Sequence, residues 1–369
     1  MPPCGCLTER ARAVITLLTL GAIGLAALRV PAPATAPPLP AGKGDVATFQ
    51  AVVARLRTGA PYYPTYGFEL RRAGYPTRDA FNWRTPLLLS AVSSVPKGVP
   101  EAIGIVVVFA FLLALCRALA TMRQHSTAVW LASMMQVGAV AILAAPSVVV
   151  LGEAWAGVLV GFSVCAFARQ RPVFAVPLGL LALFVRELAA PYCVVCTVIA
   201  AFNRRWQEVG AWIGGACVYA AYFGWHLTQV WAHRLPTDLA HDSSWLEFGG
   251  LPFLLTTVHR QAWLRLLPAP LTALALVLIV AGIADARAPR HVRAASAVYV
   301  LFFLVAGKPF NSYWGLMAWP TWALACGYGV DTTGRAIRTA FAPRGLSALS
   351  RSDGENRRCV PFGISEKRR

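Results

Sequence analysis

Apolar residues in this chain come in long unbroken runs, without the alternation of a half-buried strand or the narrow stripe of a helix on a water-soluble globule. Runs at 14–30, 102–120, 128–145, 154–168, 209–231, 266–284, 294–306 and 316–330 approach the roughly 20 residues that a helix needs to cross a bilayer. A further run, 173–202, is too long for one perpendicular crossing and is interrupted by Arg186, Glu187 and Pro191. It reads as two short helices meeting at Arg186 and Glu187. The pattern predicts an all-α, polytopic membrane protein with about ten transmembrane helices.

The polar intervals between the runs are short, with one large exception at about 31–84. It opens with PAPATAPPLPAGKG, which cannot continue a helix and releases the chain. DVATFQAVVARLRT then places apolar residues at helical spacing and ends at Gly59, as an amphipathic helix lying on the membrane surface would. PYYPTYGFELRRAGYPTRDAFNW is rich in turn residues and interfacial aromatics. TPLLLSAVSSVP is too short to span and is expected to dip along the interface.

Composition sharpens the assignment. The 369 residues are 57% hydrophobic and only 14% charged, which excludes a water-soluble globule. The formal charge of +18 is not a nucleic-acid footprint. Nine of the 34 basic residues follow residue 334, in a tail expected to be disordered, to stay in the cytoplasm and to touch anionic membrane lipid. The chain therefore divides into a transmembrane domain, 1–330, and a basic tail, 331–369. Basic turns at Arg169 and Arg171, at Arg204 and Arg205 and at 285–293 mark inner ends, and both termini fall inside. Nine of the 16 acids, Asp45, Glu69, Asp79, Glu101, Glu153, Glu187, Asp238, Asp242 and Glu247, fall on the outer side, where the chemistry is expected.

Several constellations are candidates. Asp45 stands at the start of the surface helix, either as its N-cap or as a general base held at the membrane surface. Arg186 and Glu187 lie at a helix break, where charge is expensive unless it is paired or lines a polar cavity. They are either an internal ion pair or a phosphate-holding arginine with a carboxylate that orients the substrate. Lys308, Asn311 and Trp314, in KPFNSYW, combine a cation, an amide and an aromatic ring suited to a sugar or a phosphate, although interfacial anchoring accounts for the aromatics too. Glu153 reads as a helix-terminal residue or as the partner of a loop arginine. His233, Asp238, His241 and Asp242 lack the spacing of a metal site, and no metal is expected. Cys193 and Cys196 have redox spacing but no flanking charge, and read as small buried hydrophobes. No phosphate-cradling glycine motif supports a soluble nucleotide donor.

Gly44-Asp45-Val46-Ala47-Thr48-Phe49, then Leu56-Arg57-Thr58-Gly59-Ala60-Pro61-Tyr62-Tyr63, then Phe81-Asn82-Trp83-Arg84-Thr85-Pro86-Leu87-Leu88 resemble the opening of the GT-C membrane glycosyltransferases. The resemblance covers the first 120 residues and is nearest to the polyprenyl-phosphate-dependent α-mannosyltransferases. The family's paired prolines are reduced here to Pro86. The resemblance implies that a sugar, mannose by default, passes from a polyprenyl-phosphate donor to a hydroxyl of a glycan or glycolipid acceptor, on the outer face of a bacterial inner membrane. It implies an inverting displacement with Asp45 as base and no cofactor. Arg186, Arg84 and Lys308 are the candidate cations for the donor phosphate, and Glu187, Asn311, Trp314 and Asp79 the candidates for substrate contacts. A secondary transporter or lipid flippase also needs about ten spans and buried charges. Such proteins interrupt helices at matching positions in two halves, and only one interruption is visible here. A non-catalytic subunit of envelope-polysaccharide assembly is the third reading, and a carboxylate on which activity depends separates the enzyme from both.

Overall fold

The computed structural model describes residues 9–30, 44–121, 131–132, 134–137, 141–240, 247–260 and 262–342, and every regular element among them is helical. The Pro-rich start of the first loop, residues 128–130, 133 and 138–140 of the run at 128–145, His241, Asp242 and the tail beyond 342 lie outside the described residues. Helix α1 (Glu9–Leu28) is followed by three loop helices, α2 (Asp45–Leu56), α3 (Tyr62–Arg72) and α4 (Pro86–Ser93). Then come α5 (Val99–Thr121), α6 (Gly152–Ala168), α7 (Pro172–Val185), α8 (Ala190–Phe202) and α9 (Trp206–Ala232). The chain closes with α10 (Gly250–His259), α11 (Ala269–Ala284), α12 (Arg290–Val305) and α13 (Trp319–Phe341).

Two of these, α1 and α5, are long and apolar enough to cross a membrane. Helices α6, α7 and α11 are apolar but have only 17, 14 and 16 residues. Large apolar side chains face outward: Leu18 is 68% exposed, Val106 66%, Phe109 68% and Val173 70%. The centre belongs to α6. It is apolar on every side, and Ala156, Val160, Val164 and Phe167 are all buried, as expected for a helix surrounded by others. It packs against α5, α7, α12, α13 and the 3₁₀ segment Pro309–Met317. Beside it α11 and α13 approach closely, because Gly282 and Gly329 each leave no room for a Cβ against the partner's backbone.

The run at 173–202 is broken as its sequence predicts. Helix α7 ends at Val185, Arg186 is extended (φ −153°, ψ 120°), and a 3₁₀ turn at Glu187–Ala189 leads into α8. Pro191 has no amide to donate to the carbonyl of residue 187, so the α-helical ladder cannot run through the break.

Three elements depart from the expectation. Residues Tyr62–Arg72 form a helix instead of turns: Tyr63, Tyr66 and Leu70 fall on one buried face, and Pro64 is confined to the first turn. A further helix, α10, precedes the segment expected to begin at 266, which becomes helical only at Ala269. Helix α13 continues to Phe341, past the boundary at 330, because Ala336 and Ala340 pack on Ala13 of α1.

Candidate active site

The carboxylate of Asp45 sits at the first residue of α2. The N-cap is Gly44, whose φ of 98° suits glycine, and its backbone carbonyl accepts from the Thr48 amide. Asp45 makes no capping bond, so the N-cap alternative fails. Its two oxygens accept from two phenols instead: Tyr75 donates to Oδ1 and Tyr313 to Oδ2, the latter at 2.5 Å. Burial, then the Asp45 charge, push the Tyr75 phenol above its ordinary pKa. Burial, then Glu153 and Asp45, do the same for Tyr313. Both phenols therefore stay protonated at neutral pH and remain donors.

Arg84 reaches the same place by way of α3. Tyr62 donates to the carbonyl of Arg84 at 2.9 Å and Tyr66 to that of Asn82 at 3.5 Å, pinning the backbone that carries Arg84. Trp83 is pinned from the other side by its indole N–H on the Thr77 carbonyl at 2.9 Å. The Arg84 guanidinium lies over the Phe49 ring, one helical turn below Asp45 on α2, and within 3.5 Å of the Tyr313 hydroxyl.

The helix break supplies the remaining charges. Arg186 is 1% exposed and donates through Nε to Glu153 Oε1 at 2.6 Å, and its Nη1 pairs with Glu187. Gly152, just before Glu153, lets the start of α6 close onto the Val185 carbonyl and the Arg186 side chain. Arg84 stands 3.8 Å from Glu153 and 3.9 Å from Glu187, so the two arginines and two glutamates form one connected group. Arg186 Nη2 and Glu153 Oε2 are shut off from solvent with no hydrogen-bond partner among the described residues. Unsatisfied charged atoms at such depth are costly, and the fold leaves both groups with unused hydrogen-bonding capacity among the described residues.

Of the residues singled out in the sequence, Asp45, Arg84, Arg186 and Glu187 are brought together. Lys308 is buried and caps the 3₁₀ segment that carries Tyr313, and Asn311 donates its amide to the Lys308 carbonyl at 2.8 Å. Trp314 is 3% exposed, with its ring edge-on to Phe253 and parallel to Phe302, so it presents no open face for a sugar. Within that turn Tyr313 is the residue that meets Asp45. Asp79 leads into the 3₁₀ turn at Ala80–Asn82, and its carbonyl accepts from the Asn82 amide at 3.2 Å. Glu153 takes the role of partner to arginines. Tyr75 and Tyr313 were not anticipated, because a tyrosine in a loop carries no periodicity that distinguishes it from an interfacial anchor.

No match was found for this chain among protein-family models, curated proteins or solved structures. The site stands on its own geometry. No group of three or more histidine, cysteine or acidic side chains suited to a metal ion occurs among the described residues.

The loop bearing Tyr75 and Arg84 is also tied to the segment that follows α9. Arg71 grips Asp238 through Nε at 2.6 Å and Nη2 at 3.0 Å, and the Arg78 amide donates to the Leu239 carbonyl at 3.0 Å. Tyr63 on α3 bonds the ring of buried His226 on α9 at 2.9 Å. The surface helices are thereby fixed to the bundle from two sides.

Proposed function

We propose that the chain is a polytopic membrane glycosyltransferase of the GT-C type, which transfers a sugar from a polyprenyl-phosphate donor to an acceptor hydroxyl on the extracytoplasmic face. The observation that carries this is the meeting of a tyrosine-held carboxylate, Asp45, with two buried arginines, one of which has an unpartnered N–H group. Apolar side chains covering the outside of α1, α5 and α7, and basic residues gathered at the opposite helix ends, support ten membrane helices.

In this reading the acceptor hydroxyl displaces one phenol from Asp45. Its oxygen attacks the anomeric carbon as Asp45 takes its proton, and the bond to the phosphate oxygen breaks on the opposite side. The negative charge that develops on the leaving lipid phosphate is met by Arg186 Nη2 and Arg84, whose positions are already fixed before the reaction. Lys308, at the start of the 3₁₀ segment that carries Tyr313, adds a third cation at this end of the bundle. Mannose is the default sugar by resemblance to the α-mannosyltransferases.

The second reading, a secondary transporter, draws on the same broken helix, since discontinuous helices with buried charges also form transport sites. One experiment separates the two. Membranes containing the chain are given radiolabelled polyprenyl-phosphate mannose, and incorporation into endogenous lipid and glycan acceptors is followed. Incorporation that Asp45→Asn abolishes at unchanged protein level establishes the transferase. Incorporation that survives the substitution moves the base elsewhere, and its absence with every polyprenyl-phosphate sugar favours the transporter or the assembly subunit.

A further inference from the structure

At the other end of α6 and α7 the helices enclose a second polar feature. From Glu153 to Ala168 the axis of α6 runs about 22 Å, so this region is remote from Asp45. A cavity of about 480 Å³ opens there between the turn joining α6 to α7, the turn joining α8 to α9, and the start of α12. Its polar lining is Gln170, Asn203, Arg205, Arg290 and His291, and Phe167 and Ile199 form apolar wall.

Several features give this cavity the character of an anion site. Arg205 and Arg290 bring two guanidiniums to its wall. Arg290 is held in place by donating through Nη1 to Asn203 Oδ1 at 2.8 Å. Arg205 is held by Glu208, whose Oε2 lies 3.0 Å from Nη1. The His291 ring stacks flat on Phe167, with centroids 3.8 Å apart and planes within 4°, which fixes the direction of its nitrogens. His291 Nε2 and Arg205 Nε are both closed off from solvent and have no hydrogen-bond partner among the described residues. Both nitrogens belong to residues that line the cavity, so its wall carries N–H capacity that the described residues do not meet.

The backbone favours the same sign of charge. Helices α7, α9 and α12 all begin at the cavity, at Pro172, Trp206 and Arg290. In α7 Pro172 has no amide and the Phe174 amide donates to the Arg171 carbonyl at 3.1 Å, so the open first-turn amides are chiefly those of α9 and α12. Helices α6 and α8 end there, but their last carbonyls are consumed by the turns. Ala166 and Phe167 accept from Arg171 and Gln170, and Ala200 and Ala201 accept from Arg205 and Arg204. Both turns need a left-handed residue, Gln170 and Arg204, each at φ 56°. The positive ends of α9 and α12 are thus left open while the negative ends of α6 and α8 are closed by their turns.

We propose that this cavity binds a phosphate-bearing anion, with Arg205, Arg290 and His291 Nε2 meeting its oxygens. The phosphate comes either from an anionic lipid headgroup at that membrane surface or from a soluble phosphate, and both present the same oxygens to the same donors. The site is independent of the transfer reaction and does not rest on it.

The test uses the full-length protein in an uncharged detergent, with thermal unfolding followed against inorganic pyrophosphate and, separately, short-chain phosphatidic acid. A saturable rise in Tm with pyrophosphate identifies a soluble phosphate as sufficient, and a rise with the lipid alone identifies the headgroup with its chains. In either case the double variant Arg205→Gln/Arg290→Gln weakens the apparent affinity by at least about tenfold. His291→Phe, which preserves the stack on Phe167 and removes Nε2, weakens it to a smaller degree and serves alone if the double variant does not fold. Asp45→Asn leaves the response unchanged, which keeps this result separate from the fate of the transferase reading. No saturable response to either probe, or a response undiminished in the folded variants, overturns the proposal.

Discussion

Tyr75 and Tyr313 hold the two oxygens of Asp45 from different segments of the chain, and their surroundings assign them different roles. Tyr75 is half-buried on the loop, whereas Tyr313 also lies within 3.5 Å of Arg84 and so links the carboxylate to the cations. In the proposed transfer, the acceptor hydroxyl takes the place of the Tyr75 phenol while Tyr313 stays. Tyr313→Phe is therefore expected to lower kcat by roughly ten- to a hundredfold, the worth of about 1.5–3 kcal/mol for a hydrogen bond to a charged group. Tyr75→Phe is expected to change it by only a few-fold. Steady-state kinetics on both variants decide the matter, and a larger loss at Tyr75 would reverse the assignment. Glu153 is a structural matter before a catalytic one: Glu153→Gln removes the charge opposite buried Arg186, and unfolding in detergent should show a loss of about 3–5 kcal/mol. The same change at Glu187, which is 24% exposed on its side chain, should cost less. Arg186 and Glu187 were legible as candidates because charge within a long apolar run has few structural excuses, whereas Asp45 and Arg84 were singled out through the resemblance. The tyrosines that complete the site were not, since their hydroxyls are assigned only once the loops are folded.

Between the loop helices and the bundle, the Arg71–Asp238 pair is the tie most sensitive to solution conditions. The hydrogen bond from Arg71, the largest influence, holds the Asp238 carboxyl well below the usual carboxylate range despite its burial. A carboxylate depressed in the folded state contributes stability that is complete above its unfolded pKa of about 3.9 and is lost as pH falls through the folded value. Asp238→Asn is thus expected to lower Tm by a constant amount from pH 8 to about pH 5, with the gap to the native protein closing only below about pH 4. A gap that closes near neutrality would mean that Arg71 and Asp238 do not form the tie. The elements themselves were unequally readable. The break between α7 and α8 was written in Arg186, Glu187 and Pro191, three residues that independently oppose a continuous apolar helix. Helix α3 was hidden, because Pro64 and Gly67 read as turn residues. Gly67 is there because the Trp83 ring and the Arg71 side chain occupy the space that a Cβ would need. Its helicity comes from tertiary packing of Tyr63, Tyr66 and Leu70, which no local propensity reports.

At the scale of the whole molecule, the two polar features lie at opposite ends of the same helices. Asp45, Arg84, Glu153 and Arg186 gather at one end of α6 and α7, and Arg205, Arg290 and His291 at the other. The excess of arginine at the second end, in the turns at 169–171, 204–205 and 287–293, favours the proposed orientation, in which that end faces the cytoplasm and Asp45 the outside. The proposed chemistry needs this orientation, because a polyprenyl-phosphate sugar used on the outer face cannot reach a carboxylate held inside. In a variant lacking the native cysteines, single cysteines at exposed positions read the orientation directly. Ala73→Cys, at the end of α3, is expected to react with a membrane-impermeant maleimide in intact cells, and Ala286→Cys, between α11 and α12, only after lysis. Labelling of both from outside would remove the bilayer from between them and with it the ten-helix arrangement. The reverse order would keep the arrangement but put Asp45 in the cytoplasm, where a donor presented on the outer leaflet is out of reach and the transfer reaction, as proposed, fails.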